Sequence, residues 1–314
     1  MGGKCGFVLN PSIEVEKILN EHLVGQDRAK EIIVNELKLW HPYDNKQVHQ
    51  PMVLAFTGLT GTGKTMTATL IADALFNQRE KLENSDKTQP AGLLMYSGAD
   101  FEDTATSTIK EFQENFKTRL GSQLQKCSGV AVVVFDEIQK VIPQVVNVLV
   151  RPMSEEAILE YKQDNVQHKI DCSKVIFILI SDIGTDAMTK LLLQYDSRDE
   201  IPLITLSRAV KSAMDEQWHR LQLGKAIHTV VPFLPLEEEQ EGVTEYFSRS
   251  SLMTYSVMSE TFNEVERKKV ISKYGARTIS NDVMKKVKAH LSKMFTEATP
   301  CTTKFFLFLD MYTQ

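Results

Sequence analysis

The sequence predicts an α/β fold: a parallel sheet flanked by helices, followed by a small, mostly helical domain. Three observations lead there. An apolar run, Val53-Leu54-Ala55-Phe56, enters a glycine-rich turn and then a segment with Met66, Ala68, Leu70, Ile71 and Leu75 at mostly helical spacing. The run Val130-Ala131-Val132-Val133-Val134-Phe135 is too continuously apolar for a half-exposed strand and reads as a central parallel strand buried on both faces. From Glu237 onward the chain changes to helical patterns with charged surfaces.

Residues 1–12 read as a loose leader. A helix from Ile13 through Val15, Ile18 and Leu19 breaks at Leu23-Val24-Gly25-Gln26, and a second carries Ala29, Ile32, Ile33, Leu37 and Leu39. A polar linker, His41 to Gln50, leads into the first strand. The helix after the glycine-rich turn gives way to a charged, solvated loop from Asn77 to Gln89, and Ala91 to Tyr96 forms a short strand. Phe101 to Gln125 reads as a long helix whose Ile109, Phe112, Phe116 and Leu120 share one core-facing stripe. The Val130 strand ends in Asp136-Glu137, and a helix with Val141, Val145 and Val148 runs on to Arg151-Pro152. Val175 to Ile180 is a further buried strand, ending in Ser181-Asp182-Ile183-Gly184. Residues 185–228 are helical in pattern, and Val230 to Leu236 gives a short strand bounded by prolines. The expected boundary lies at 236–237, giving a large domain over 13–236 and a small one over 237–314. The small domain carries the basic stretch Lys268 to Lys293 and the apolar strand Phe305 to Leu309.

The 314 residues are 42% hydrophobic and 25% charged, ordinary for a globular protein. A formal charge of −5 argues against nucleic-acid binding through a general basic field. Cys5, Cys127, Cys172 and Cys301 form no CxxC pair, so reduced thiols are expected rather than a zinc site or disulfide framework. The histidines are equally scattered. No apolar stretch approaches the ~20 residues of a membrane span, and the amino terminus lacks a signal peptide's apolar core. Gly2 and Cys5 suggest lipidation, but Gly6 stands where a myristoylation site needs Ser or Thr. These features favour the cytoplasm, with the endoplasmic-reticulum lumen or nuclear envelope as the alternative should a preceding segment exist.

The chemistry concentrates in Gly58-Leu59-Thr60-Gly61-Thr62-Gly63-Lys64-Thr65, with Met66 opening the helix behind it. This matches GxxxxGK[ST] between a strand and a helix, the context the motif requires. Backbone amides wrapped around a phosphate leave no room for inward Cβ atoms, and the helix N-terminus adds aligned donors and partial positive charge. Lys64 would reach the β- and γ-phosphates, and the Thr65 hydroxyl would ligate Mg²⁺. Asp136 and Glu137 stand at a strand's carboxyl edge, where open α/β sheets bind ligands. Asp136 would hold Mg²⁺ directly or through water, while Glu137 would orient or deprotonate the attacking water.

Loop, carboxylate pair and trailing helical domain together resemble an AAA+ ATPase. HLVGQDRAK at 22–30 resembles a segment of the Clp unfoldases and torsins that lies near the adenine, implying roles for Val24 and Gln26. GLTGTGKT is similar to the torsin loop, and VVPFLPLE at 230–237 resembles the torsin segment joining the two domains. The resemblance covers residues 13–312 and implies ATP and Mg²⁺ held between the large and small domains. Tyr274-Gly275-Ala276-Arg277 looks like the Clp sensor-2 motif, whose arginine contacts the γ-phosphate.

The departures carry mechanistic weight. Torsins have Asn where this chain has Thr65, the usual Mg²⁺-ligating residue. The sensor-1 position, usually Asn, is Asp182, and an ionised carboxylate cannot donate a hydrogen bond to phosphate or water. The positions matching the Clp arginine finger read Lys225-Ala226, with Arg220 or Lys225 as substitutes. The aromatic substrate-gripping loop of the Clp proteins is missing. The resemblance therefore implies a torsin-like AAA+ ATPase that remodels protein complexes as an oligomer. An activating protein or neighbouring subunit would supply the missing arginine, and no nucleic acid is involved. The alternatives are a Clp-like homo-ring unfoldase and a nucleotide-gated binding module with little turnover.

Overall fold

The computed structural model describes residues 4–40, 42, 50–82, 86–101, 106–163, 166–195, 200–218 and 223–234. Met1–Gly58 and Gly63–Leu234 form one compact unit. Within the first unit five strands make one parallel sheet: β1 (Met52–Gly58), β4 (Leu93–Ser97), β5 (Ala131–Asp136), β8 (Val175–Ser181) and β9 (Thr229–Phe233). Their order is β4-β5-β8-β1-β9. Register is set by pairs such as Leu54↔Ile178 and Val133↔Phe177.

The three continuous apolar runs became the three central strands. Every residue of β1 and β8 is buried, because helices cover both faces of a parallel sheet. Alternation divides their side chains between two cores. Val53, Ala55, Val133, Phe135, Phe177 and Leu179 face one; Leu54, Phe56, Val132, Val134, Ile178 and Ile180 face the other. Each fully buried large side chain contributes about 1.5–3 kcal/mol relative to exposure. A one-residue slip of any central strand would exchange the two sets.

The second core is closed by α1 (Pro11–His22), α2 (Asp27–Leu39) and α3 (Lys64–Leu75). Pro11 occupies the first turn of α1, where its missing N–H costs nothing. The first core is closed by α4 (Thr106–Lys126), α5 (Pro143–Met153), α6 (Thr185–Leu192) and α7 (Leu203–Gln217), with α8 (Leu223–Ala226) leading into β9. The buried Trp218 indole, just after α7, donates to the Val141 carbonyl at 3.3 Å.

Two small antiparallel pairs were absent from the sequence reading. β2 (Arg79–Lys81) pairs with β3 (Thr88–Pro90) inside the stretch read as a charged loop. β6 (Ile158–Gln163) pairs with β7 (Val166–Asp171) between α5 and β8. Phe101, read as the start of the long helix, instead ends a 3-10 turn over Gly98–Phe101, and the helix spans Thr106–Lys126 among the described residues.

Two expectations are corrected at the amino terminus. Cys5 and Cys127 are joined in a disulfide with Cα atoms 5.2 Å apart, and both are buried. The sequence separation of 122 hid the pairing. The leader is also anchored from Cys5 onward. Val8 N–H donates to the Leu75 carbonyl and Asn77 N–H to the Gly6 carbonyl. Phe7 packs edge-on against Phe76 and Trp40. This short segment therefore clamps the far end of α3, the helix that starts at Lys64. Cys172 is a buried free thiol, and Cys301 lies outside the described residues.

Candidate active site

All five strands run in the same direction, so their carboxyl ends meet along one edge. Gly58 ends β1, Ser97 ends β4, Asp136 ends β5 and Ser181 ends β8. Register places Thr57 beside Ser181 and Ser97 beside Asp136. Chain topology thus gathers residues more than a hundred positions apart.

After Gly58 the chain turns into α3. Gly63, immediately before the helix, has φ +100 and ψ 5, a left-handed conformation that glycine adopts without the Cβ penalty. The turn Leu59–Thr62 closes on itself, Thr62 Oγ1 donating to the Leu59 carbonyl at 2.9 Å. Thr62 is buried, Leu59, Thr60 and Met66 are exposed, and Gly61 has φ +84. Lys64 Nζ donates to the Gly58 carbonyl at 2.7 Å, which folds the ammonium back over the mouth of the turn.

Thr65 Oγ1 donates to Asp136 Oδ2 at 2.8 Å, across 71 positions of sequence. The other Asp136 oxygen, Oδ1, accepts the Glu137 N–H at 3.0 Å. Asp136 is half-buried and Glu137 exposed. The Glu137 carboxylate is held by Lys140, with Nζ to Oε2 at 2.9 Å. A hydroxyl and a carboxylate, brought together at a helix N-terminus, fit a hard divalent cation whose remaining ligands come from phosphate and water. Among the described residues no three His, Cys, Asp or Glu side chains converge as a metal site. A cation here would depend on Thr65, Asp136 and the phosphate itself.

Asp182 follows β8 at the same edge and is exposed. Its carbonyl accepts from Thr185 Oγ1 at 2.8 Å, while Thr57 Oγ1 donates to the neighbouring Ile183 carbonyl at 2.5 Å. Those bonds tie the end of β1 to the turn carrying Asp182. Val24 is half-buried, and Gln26 is buried with Nε2 donating to the Leu234 carbonyl at 2.8 Å. Gln26 thereby fixes the exit of β9 to the start of α2. Lys225 is exposed on α8. Arg220 and Arg277 lie outside the described residues.

Sequence reasoning missed three contributors. The sequence reading gave Thr57 no role, yet its hydroxyl donates to the Ile183 carbonyl in the turn that carries Asp182. Lys140 gave a signal, since an acid and a base three positions apart share one side of a helical turn. Ser181 Oγ is buried and meets no partner among the described residues, a fact visible only in three dimensions.

Comparison with known proteins follows the same lines. The torsin family model matches residues 4–135, ending one position before Asp136. A torsin-like protein of Caenorhabditis elegans is 29% identical, covering 69% of this chain and 58% of that protein. The chaperone ClpB of Chlamydia caviae is 26% identical, over 72% of this chain and 24% of its own length. Among solved structures, the closed state of Hsp104 with ATPγS and FITC casein superposes with a TM-score of 0.63 at 20% identity, covering 90% of this chain and 48% of that one. The Saccharomyces cerevisiae Hsp104–ADP complex gives 0.60, with the same coverage. At that identity the likeness is one of fold. This chain spans 58% or less of the length of each of these relatives.

Proposed function

We propose that this chain, which belongs to the torsin and Clp clade of AAA+ proteins, binds ATP with Mg²⁺ and hydrolyses it to remodel protein complexes. The observation that carries the reading is the Thr65–Asp136 hydrogen bond at the N-terminus of α3. It pairs the two side chains that a phosphate-bound Mg²⁺ needs, at the edge where an open parallel sheet binds ligands. Mg²⁺, when bound, would neutralise charge building on the phosphate oxygens.

The chain's own groups supply the rest. Amides of the turn and the α3 terminus orient the phosphates, and Lys64 exchanges the Gly58 carbonyl for a phosphate oxygen. Glu137 accepts a proton from water as the water oxygen bonds to the γ-phosphorus. The bond from that phosphorus to the β,γ-bridging oxygen breaks, and its electron pair stays on ADP. Asp182 cannot donate to the γ-phosphate as an amide would, and its charge opposes phosphate. Arg277 from the small domain and an arginine from a partner would complete the charge stabilisation, the latter worth ~10³–10⁵ in rate. The site is in this reading one half of a shared one. The partners are an activating or neighbouring AAA+-type subunit in an oligomer and a protein client, with no nucleic acid. Among the described residues no helix is long and apolar enough to cross a membrane.

The Cys5–Cys127 disulfide bears on the compartment. Such a bond persists in oxidising surroundings, which supports the endoplasmic-reticulum lumen or nuclear envelope over the cytoplasm. One observation favours a second reading: Asp182 at the sensor position suits a nucleotide-gated binding module with little turnover. The test is a pull-down with Glu137→Gln in MgATP. Nucleotide-dependent capture of a partner that accelerates wild-type hydrolysis supports the remodelling ATPase. Capture with no hydrolysis by the wild type under any partner favours the binding module, and no MgATP binding rejects both.

A further inference from the structure

Glu137 holds an unusual backbone conformation for its residue type. Its φ of 54 and ψ of 44 lie in the left-handed region, where a non-glycine residue is disfavoured and persists only when its surroundings hold it. Two hydrogen bonds and one close backbone approach hold it. Its N–H donates to Asp136 Oδ1 at 3.0 Å, and its carbonyl accepts from Lys140 N–H at 2.9 Å. The close approach is at Gly98. A Cβ built on Gly98 would overlap the Glu137 carbonyl oxygen, stand 2.8 Å from its carbonyl carbon and 3.1 Å from the Asp136 oxygen. These are backbone atoms and cannot rotate aside.

That closeness follows from the sheet. β4 and β5 run parallel with Ser97 opposite Asp136, so the next residues, Gly98 and Glu137, leave the sheet side by side. One position earlier, Tyr96 stacks on Phe135 with centroids 5.0 Å apart and planes at 17°, fixing the spacing of the two strands. With the strands fixed, only the absence of a side chain at Gly98 lets the Glu137 carbonyl turn inward. The same turn brings Lys140 Nζ back to the Glu137 carboxylate.

We infer that Gly98 is a positioning residue for Glu137: its missing side chain seats the Glu137 carbonyl and so aims the carboxylate at the reacting water. Lys140 is a second, weaker tether on the carboxylate itself. Both residues lie outside the turn from Gly58 to Thr65 and act, in this inference, through Glu137. The inference rests on the reading of Glu137 as the base, and the test separates the two.

The experiment compares wild type, Gly98→Ala, Lys140→Met and Glu137→Gln in the full chain. The readouts are MgATP affinity, kcat with the activating partner present, and amide hydrogen exchange at Lys140. Placing a Cβ at Gly98 displaces Glu137 by about 1 Å, which costs roughly 10²-fold in a positioned reaction. Gly98→Ala is therefore expected to lower kcat about 100-fold, keep the MgATP Kd within about threefold, and speed Lys140 amide exchange at least tenfold. Lys140→Met, removing a half-exposed pair, lowers kcat no more than about fivefold. Wild-type exchange and kcat in Gly98→Ala would overturn the inference. If Glu137→Gln hydrolyses like wild type, the base assignment fails, while exchange at Lys140 still decides the seat. Should Gly98→Ala not fold, wild-type exchange alone decides: slow exchange at Lys140 supports the seat, and exchange at the unprotected rate rejects it.

Discussion

Replacing Thr65 by Val removes one hydroxyl and almost nothing else. The two side chains have nearly the same shape and similar helix propensity, so the first turn of α3 should persist. What goes is the hydrogen bond from Oγ1 to Asp136 Oδ2 at 2.8 Å. A hydrogen bond to a charged group contributes about 1.5–3 kcal/mol. Asp136 is half-buried, so water replaces much of that in the free protein, and the melting temperature is expected to fall by no more than about 2–4 °C. The larger loss is expected at the proposed cation, for which Thr65 and Asp136 are the two side-chain ligands among the described residues. A loss of the same size there corresponds to about 10- to 150-fold weaker binding of MgATP. The assay is titration with a fluorescent ATP analogue, with and without Mg²⁺. Without Mg²⁺ the variant should bind within about twofold of wild type, because the turn and Lys64 are intact. Equal affinity with Mg²⁺ in variant and wild type would refute the reasoning.

Other outcomes follow from the same structure. Cys5→Ser opens a disulfide spanning 122 positions; the chain-entropy model assigns such a loop ~5 kcal/mol. Reductant should lower the wild-type melting temperature to that of Cys5→Ser, and an unchanged wild type would reject the clamp. Cys172 is buried and its thiol is pushed up to about 12 by burial, with Asp171 adding to the shift. At pH 8 iodoacetamide should modify it only on unfolding, so modification in the native state would contradict the packing. In the proposed site Asp182→Asn adds a donor and removes a charge that would oppose phosphate, and is expected to raise kcat about tenfold, equivalent to ~1.4 kcal/mol. An unchanged or lower rate would mean that Asp182 does not face the γ-phosphate.

Much of this was legible in the sequence, for physical reasons that differ by residue. β1, β5 and β8 announce themselves because strands buried on both faces carry continuous apolar runs. The loop from Gly58 to Thr65 is legible because its motif fixes residue types within eight consecutive positions between a strand and a helix. Asp136 and Glu137 are legible because they follow such a strand directly. β7 was not, since Val166-Gln167-His168-Lys169-Ile170-Asp171 is largely exposed, with Ile170 partly buried against the first core and too little apolar alternation to signal a strand. The Cys5–Cys127 bond and the Gly98 seat depend on which chain segments the fold brings together. No local pattern encodes either. The Asp182 substitution could be seen in the sequence, whereas the Thr57 bond that anchors its turn could not.

The central claim is a phosphate site complete for binding and incomplete for turnover. It is tested most directly by measuring MgATP affinity and hydrolysis for wild type and Glu137→Gln, alone and with a captured partner. The account predicts similar affinity in both proteins, slow hydrolysis by wild type alone, a partner-dependent rise of at least about 10³-fold, and no such rise in Glu137→Gln. Full-rate hydrolysis by the isolated chain, or equal rates in wild type and variant, would contradict it.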